Sequence, residues 1–250
     1  MAKKTKILIV GNGFGGIYTL KNLTKLFPNK KGVEFSMIGE RNYFLFTPLL
    51  HEVATGGISP LNILEPIRKI LKGYLDNFYL GKAENINLKD KIVNINGVLV
   101  PFDYLVLSPG AETNFYNIPD AEKYSFTLKS INDAIRIKNH CINQIERASN
   151  IKDSDTRKRI LKFVVVGGGP TGVELAAELQ EFIKDTFSIY YSKEIINDAS
   201  VVLVQKGTEL LPQFSKKIRE KSLEVLKRKC INVMLGSAYP HPRIRTLISF

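Results

Sequence analysis

Two glycine-rich turns of the same type carry the clearest chemistry in this chain. Each follows a short run of branched apolar residues: Gly11-Asn12-Gly13-Phe14-Gly15-Gly16 and Gly167-Gly168-Gly169-Pro170-Thr171-Gly172. In a strand-turn-helix unit, the first glycine allows a tight exit from the strand, the second lets the backbone approach a pyrophosphate, and the third lets the helix pack closely on the sheet. The helix amino terminus then offers free N–H groups to the anion. The duplication predicts two bound dinucleotides, as in an enzyme that moves electrons between a nicotinamide and a flavin.

The residue after the second strand of each unit is expected to contact the ribose of a bound dinucleotide. Glu40 follows the apolar run 33–38, where a carboxylate can accept hydrogen bonds from ribose hydroxyls; the alternative is a solvated loop glutamate. In the later unit, the run 201–204 leads into Gln205 and Lys206, which predicts a neutral amide at the position of the acid. Because an acid repels the 2′-phosphate of NADPH, its absence predicts that NADPH is tolerated alongside NADH. The alternative has Lys206 in solvent and Gln205 bonding the ribose.

Apolar periodicity supplies the elements that position these turns. The spacing predicts an α/β protein with two Rossmann-like dinucleotide-binding units, of which the first carries an antiparallel β excursion over residues 78–107. The other predicted elements are strands at 6–10, 33–38, 163–166, 201–204 and 231–235, and helices at 15–26, from Ser130, from Val173 and at 215–229. The polar stretch 150–159 is predicted to be a linker. The predicted domains are therefore residues 1–125, a connecting helix and linker at 126–159, and an incomplete second unit at 160–250.

Composition and charge limit the classes of function. With 250 residues and 44% hydrophobic content, the chain can bury a sizeable core in one or two domains. A net charge of +12 favours anionic surfaces such as nucleic acid or acidic lipid, but we predict no nucleic-acid partner. The basic helix 215–229 fits a membrane-surface helix, although its place between two strands favours an outer helix with a solvated charged face. No apolar run is long enough for a membrane-spanning helix.

Three further segments carry a family resemblance. They are FLFTPLLHEVATG at 44–56, LVLSPGAETNF at 105–115 and VVVGGGPTGVELA at 164–176. With these segments the chain resembles the type II NADH dehydrogenases, the single-subunit NADH:quinone oxidoreductases of the two-dinucleotide flavoprotein superfamily. The resemblance extends from Lys6 to Leu235 and fades beyond, where 239–250 matches nothing expected. It implies that the chain is an amino-terminal part, lacking a carboxy-terminal portion that completes both sites and forms much of the quinone and membrane surface.

The resemblance also implies a role for each candidate site residue. FAD would be bound by the first turn, by the region beside the flavin ring and by a loop closing over it, which comprise Gly11, Gly13, Phe14, Gly15, Gly16, Glu40, Thr47, Pro48, Ser108 and Gly110. NAD(P)H would be bound by Gly167, Gly169, Pro170, Thr171, Gly172 and Gln205. Glu174 would be the ionisable group near the nicotinamide; its alternative is a helix-face carboxylate stabilised by the helix dipole. The chain departs from the family pattern at Ser108-Pro109-Gly110, where the family usually has Ala-Thr-Gly. This loop therefore has one backbone donor fewer, because proline has no N–H.

The function implied is transfer of a hydride from NADH to FAD and of electrons onward to a quinone. The resemblance implies a cytoplasmic protein, peripheral on the cytoplasmic face of the inner membrane through the missing part, and leaves a homodimer open. One alternative is an inactive fragment or pseudo-enzyme that only binds dinucleotide. Another is a sulfide:quinone oxidoreductase-like flavoprotein, which Cys141 and Cys230 disfavour because they are far apart in sequence and fit core positions. The histidines, His51, His140 and His241, show no metal-ligand spacing, and no metal site is predicted.

Overall fold

The computed structural model describes residues 4–237 and 247–249 and divides into two compact units. The first unit comprises the described residues up to Phe46 together with Ile63–Ala111. The second comprises Thr47–Asn62 and the described residues from Glu112 onward. In this division residues 112–159 group with the second unit, and the functional domains at 1–125, 126–159 and 160–250 stay a prediction.

The elements are numbered in chain order. The strands are β1 (Thr5–Val10), β2 (Val33–Gly39), β3 (Tyr43–Leu45), β4 (Leu64–Pro66), β5 (Asn77–Leu80), β6 (Asn85–Asn87), β7 (Ile92–Ile95), β8 (Val98–Pro101), β9 (Tyr104–Leu107), β10 (Ser125–Phe126), β11 (Lys162–Val166), β12 (Ser200–Gln205), β13 (Asn232–Leu235) and β14 (Leu247–Ser249). The helices are α1 (Phe14–Leu26), α2 (Leu50–Thr55), α3 (Ile67–Ile70), α4 (Ala121–Tyr124), α5 (Ile131–Ser149), α6 (Ser154–Ile160), α7 (Pro170–Glu181), α8 (Lys193–Asp198) and α9 (Lys216–Arg228). Among the helices of the described residues, we find none with the length and hydropathy needed to cross a bilayer.

The first unit is built on a parallel sheet with the order β5-β2-β1-β9. Strand β1 lies in the interior of this sheet, and successive side chains of a strand point to opposite faces. Ile7 and Ile9 therefore pack with Leu20 of α1 in one cluster, while Leu8 and Val10 join a second cluster. Burial on both faces explains why β1 is a continuous apolar run rather than an alternating one.

The antiparallel excursion is confirmed in its middle and wrong at its ends. Strands β6, β7 and β8 form the antiparallel sheet, and Val93 and Val100 on it pack in the cluster that contains Leu8. Strands β5 and β9, which fall within the predicted excursion, instead pair in parallel with β2 and β1. A short apolar segment does not reveal its partner, because parallel pairing joins residues far apart in the chain.

The second unit repeats the parallel arrangement with the order β10-β14-β11-β12-β13. Strand β14 pairs with β11 and lies in the stretch 239–250, where the sequence predicted no element. The predicted start of α5 is confirmed, since the Ser130 side chain accepts from the Asp133 N–H and the Asp133 side chain accepts from the Ser130 N–H. Helix α7 begins at Pro170 rather than at Val173, because the fixed φ of proline suits the first helical position.

The predicted linker at 150–159 is largely helical. Asp153 caps α6 by accepting a hydrogen bond from the Thr156 N–H at 2.8 Å. Arg157 donates from Nε to Asp198 at the end of α8 at 2.7 Å, and from Nη1 to the Ile151 carbonyl at 2.9 Å. The segment is polar because its side chains cap and crosslink helices. That same composition is typical of a solvated linker, so polarity alone did not predict α6.

Helix α1 approaches the chain leaving β1 so closely that a side chain is excluded at one position. A Cβ on Gly16 would lie 1.8 Å from the Gly11 carbonyl oxygen, far inside van der Waals contact. Gly13, three residues earlier, is exposed, and a Cβ there would meet no atom within 4 Å. Gly16 therefore allows the close packing of α1, whereas Gly13 leaves open space at the turn.

We predict that Gly16→Val destabilises the protein by roughly 3 kcal/mol or more, because either the turn or α1 must move to admit the side chain. Gly13→Val is the matched control and should cost about 1 kcal/mol, since the position is open and valine is only a poorer helix N-cap than glycine. Urea unfolding followed by circular dichroism measures both. Equal midpoints for the two variants would contradict this account of Gly16.

Candidate functional site

The first turn is held to the sheet by backbone hydrogen bonds. The Gly11 N–H donates to the Ile38 carbonyl of β2 at 2.8 Å, and the Ser108 N–H after β9 donates to the Val10 carbonyl at 2.8 Å. Gly11 has φ +107°, and a Cβ on it would lie 1.9 Å from the Ser108 carbonyl oxygen. The chain therefore passes from β1 to α1 through a gap that only glycine fits.

The amino terminus of α1 is suited to an anion. Gly13 is its N-cap residue, no side chain caps it, and its first turn holds no acidic residue. The backbone N–H groups at a helix start have no partner within the helix and carry the positive end of its dipole. Together with the open space at Gly13, this forms a cradle that fits a pyrophosphate.

The side chains around the first turn divide into packing residues and exposed residues. The Phe14 ring contacts Phe44 with ring centroids 4.9 Å apart and also contacts Tyr18 and Phe46, so only its backbone is available to an anion. Glu40 is exposed directly after β2. Other predicted residues lie as follows: Gly15 is exposed with its Cβ position 2.2 Å from Ser108 Oγ, and Gly110 is exposed with φ +84°.

The second turn has the same backbone frame. The Gly167 N–H donates to the Val204 carbonyl of β12 at 2.9 Å, as the Gly11 N–H does to Ile38. Helix α7 also begins without a side-chain cap or an acid in its first turn, and a Cβ on its N-cap residue Gly169 would meet nothing within 4 Å. The remaining predicted residues of this turn are Pro170 and Thr171, which are exposed, and Gly172, which is buried. A second anion cradle therefore exists in the second unit.

Strand register corrects one assignment by a single residue. Val10 pairs with Ile38 across β1 and β2, and Val166 pairs with Val204 across β11 and β12. Ile38 is followed by Gly39 and Glu40, and Val204 is followed by Gln205 and Lys206. Gln205 therefore corresponds to Gly39, and the exposed Lys206 corresponds to Glu40. The position equivalent to Glu40 is therefore held by Lys206, one residue beyond Gln205, where the acid was expected.

Gln205 has a different task in the structure. Its Oε1 accepts a hydrogen bond from the Gly168 N–H at 3.0 Å, which joins the end of β12 to the turn. In the first unit the corresponding pair is reversed, because Asn12 supplies the side chain and lies over Gly39. Asn12 Nδ2 donates to the Arg41 carbonyl at 2.7 Å. Each turn is thus held by one amide side chain, from the turn in the first unit and from the strand in the second.

Glu174 lies on the first part of α7 beside a residue that sequence reasoning did not assign to the site. His51 Nδ1 on α2 is 3.6 Å from Glu174 Oε2; the His51 side chain is 12% exposed and that of Glu174 is 50% exposed. The predicted residues Thr47 and Pro48 are exposed in the short 3₁₀ helix that leads into α2. The only sequence signal for His51 was its place in the segment 44–56, because the partner is far away in the chain.

The cysteines and the other histidines lie in unrelated surroundings. Cys141 is buried in α5, as predicted, and burial raises the pKa of its thiol to about 12. Cys230 is exposed just before β13 rather than buried in an apolar strand. Burial lowers the pKa of His140, whose ring contacts Phe126. His241 lies outside the described residues. Within the described residues, no group of three or more His, Cys, Asp or Glu side chains is placed to hold a metal ion.

Helix α9 carries the basic cluster and lies between β12 and β13 in the chain, as the outer-helix interpretation predicted. Three of its cations and the adjoining Lys229 pair with carboxylates: Lys216 with Glu220, Arg219 with Glu209, Lys221 with Glu224, and Lys229 with Glu181. This pairing favours a solvated, crosslinked face. A separate cavity of about 800 Å³ is lined by residues between Glu112 and Lys123 and includes none of the predicted site residues.

Paired strand-turn-helix units with open glycine turns define a dinucleotide-binding protein of the Rossmann class. The family model for pyridine nucleotide-disulphide oxidoreductases matches residues 5–241, and the chain belongs to that family. The predicted resemblance to NADH:quinone oxidoreductases is confirmed by its relatives. An external alternative NAD(P)H-ubiquinone oxidoreductase, B2, of Arabidopsis thaliana mitochondria is 40% identical over 94% of this chain and 42% of its own length.

Solved structures agree with the sequence relatives. The chain resembles NDH2 from Plasmodium falciparum, solved in complex with NADH, with a TM-score of 0.84 and 35% identity over 93% of this chain and 48% of that one. It shares only the fold with the sulfide:quinone oxidoreductase of Aquifex aeolicus, with a TM-score of 0.75 and 19% identity over 98% of this chain and 58% of that one. The chain spans less than half the length of the Arabidopsis and Plasmodium proteins.

Proposed function

We propose that this chain is the dinucleotide-binding part of an NAD(P)H:quinone oxidoreductase, with FAD on the first unit and NAD(P)H on the second. The observation that carries the proposal is the repeated cradle: each unit has a glycine turn, a helix start without a side-chain cap, and an open Cβ position, at Gly13 and at Gly169. The names of the Arabidopsis and Plasmodium relatives support the assignment of the nicotinamide cofactor and the quinone.

Each side chain has a definite part in this proposal. The N–H groups that start α1 and α7 bind the two pyrophosphates, and Glu40 accepts hydrogen bonds from the ribose of FAD. Thr47 and Pro48 would lie beside the flavin ring, and Ser108 and Gly110 would close over it. When bound, FAD would supply the redox chemistry, as the acceptor of a hydride and the donor of electrons.

Glu174 and Gln205 act in different ways in this proposal. Gln205 acts through the turn, because its amide holds Gly168 in place for the pyrophosphate. Glu174 acts by charge, as a carboxylate close to the nicotinamide ring. Quinone access, a membrane surface, a homodimer and the predicted cytoplasmic location belong to the proposal for the whole protein.

The deciding experiment asks whether the chain holds a reducible flavin. We expect the purified chain, after reconstitution with FAD, to show a flavin absorbance spectrum that bleaches when NADH is added without oxygen. Free FAD with NADH is the control. A colourless protein would contradict the enzyme and leave a dinucleotide-binding fragment, which is the alternative. Bleaching by sulfide but not by NADH would favour a sulfide:quinone oxidoreductase.

A second prediction concerns the choice between NADH and NADPH. Because Lys206 holds the position of Glu40, it presents a cation where the 2′-phosphate of NADPH would bind. We expect Lys206→Glu to weaken NADPH binding tenfold or more while NADH binding changes little, since a carboxylate there repels the phosphate. Equilibrium fluorescence titration measures both affinities, and Lys217→Glu on α9 is a control of equal charge change. Equal losses for NADH and NADPH in Lys206→Glu would contradict this role.

A further inference from the structure

His51 and Glu174 make a side-chain contact that the proposed chemistry does not by itself require. The 3.6 Å separation between Nδ1 and Oε2 is an ion-pair distance when the imidazole is protonated. His51 is largely shielded, whereas half of the Glu174 side chain is open to solvent. The histidine is therefore placed to act on the carboxylate from its protein side, leaving the other side of Glu174 free to face a ligand.

Two carboxylates of α7, Glu174 and Glu178, interact with His51. Glu174 and Glu178 lie one helical turn apart on that helix, and the positive charge of a protonated His51 favours the ionised form of Glu178. The pKa of Glu178 is raised, mainly by burial and then by the negative charges of Glu181 and Glu52. The positive charges of His51 and Lys229 oppose this rise. Helix α2 itself contributes Glu52, and on α5, which also packs on α2, Lys138 lies near Gly56 at the end of α2.

We propose that His51 is a positioning residue that sets the charge Glu174 presents to the bound nicotinamide. The inference rests on the proposed function, because it takes Glu174 to lie near that ring. When the imidazole carries a second proton, its positive charge neutralises the carboxylate. When the imidazole is neutral, Glu174 presents an uncompensated negative charge.

This change of charge distinguishes the two oxidation states of the cofactor. The nicotinamide ring of NAD⁺ is cationic, whereas that of NADH is neutral, so an uncompensated carboxylate stabilises NAD⁺ more than NADH. Histidine is the side chain whose charge changes between about pH 5 and 8. The ratio of NAD⁺ affinity to NADH affinity therefore rises with pH, and product release is favoured on the acidic side.

The test measures NADH affinity by fluorescence and NAD⁺ affinity by competition, on the full FAD-reconstituted chain between pH 5.5 and 8.5. In the unmodified protein we expect the affinity ratio to rise roughly threefold or more over this range. His51→Asn keeps an N–H near the position of Nδ1 but never carries a charge. Its ratio should be independent of pH and close to the value of the unmodified protein at pH 8.5.

Two further variants separate charge from structure. Glu174→Gln should give a pH-independent ratio near the acidic value of the unmodified protein, and this half-exposed position tolerates the change. Glu181→Gln lies on the same helix and should keep the normal pH dependence. Thermal unfolding by circular dichroism verifies that each variant is folded.

The outcomes distinguish this inference from the proposed function. If NADH and NAD⁺ bind and the ratio in His51→Asn still follows the pH dependence of the unmodified protein, the role of His51 is overturned while the proposed function stands. If neither nucleotide binds to any of the proteins, the proposed function and this inference both fail.

Discussion

The passage of the chain from a central strand to a helix through a glycine turn is the constraint on which both units depend. In the first unit the Gly11 N–H is tied to the Ile38 carbonyl at 2.8 Å, and α1 returns so closely that no Cβ fits at Gly16. These contacts hold the start of α1 at the carboxyl ends of β1 and β2. The positions of the N–H groups in the first turn of α1 are therefore fixed. The second unit reproduces the frame with Gly167 and Val204. An anion cradle is therefore a consequence of how the helix packs.

The two units nevertheless differ where specificity is expected. The amide that closes the turn comes from Asn12 in the first unit and from Gln205 in the second, so the same space is filled from opposite sides. The next residue along the strand end is Glu40 in one case and Lys206 in the other. An acid favours ribose hydroxyls, whereas a cation favours a phosphate. One backbone frame can thus serve two dinucleotides of different charge.

Local patterns predicted the turns, the central strands, the capped start of α5 and the outer position of α9, because each depends on neighbours in the chain. Features set by distant partners could not be predicted in this way. The parallel pairing of β5 and β9 is non-local, and so is the contact between His51 and Glu174. The register that places Lys206 opposite Glu40 needs the paired strands, since the end of a strand is uncertain by a residue or two from sequence alone. The polar composition of 150–159 did not reveal α6, because the partner of Arg157, Asp198, is also distant in the chain.

The central claim is that each unit holds its own dinucleotide through its own turn. The most direct measurement is the affinity of FAD and of NADH for the folded variants Gly13→Val and Gly169→Val, in which a side chain fills one cradle at a time. The account predicts that Gly13→Val loses FAD and keeps NADH, and that Gly169→Val keeps FAD and loses NADH. Loss of both ligands in both folded variants, or of neither, would contradict it.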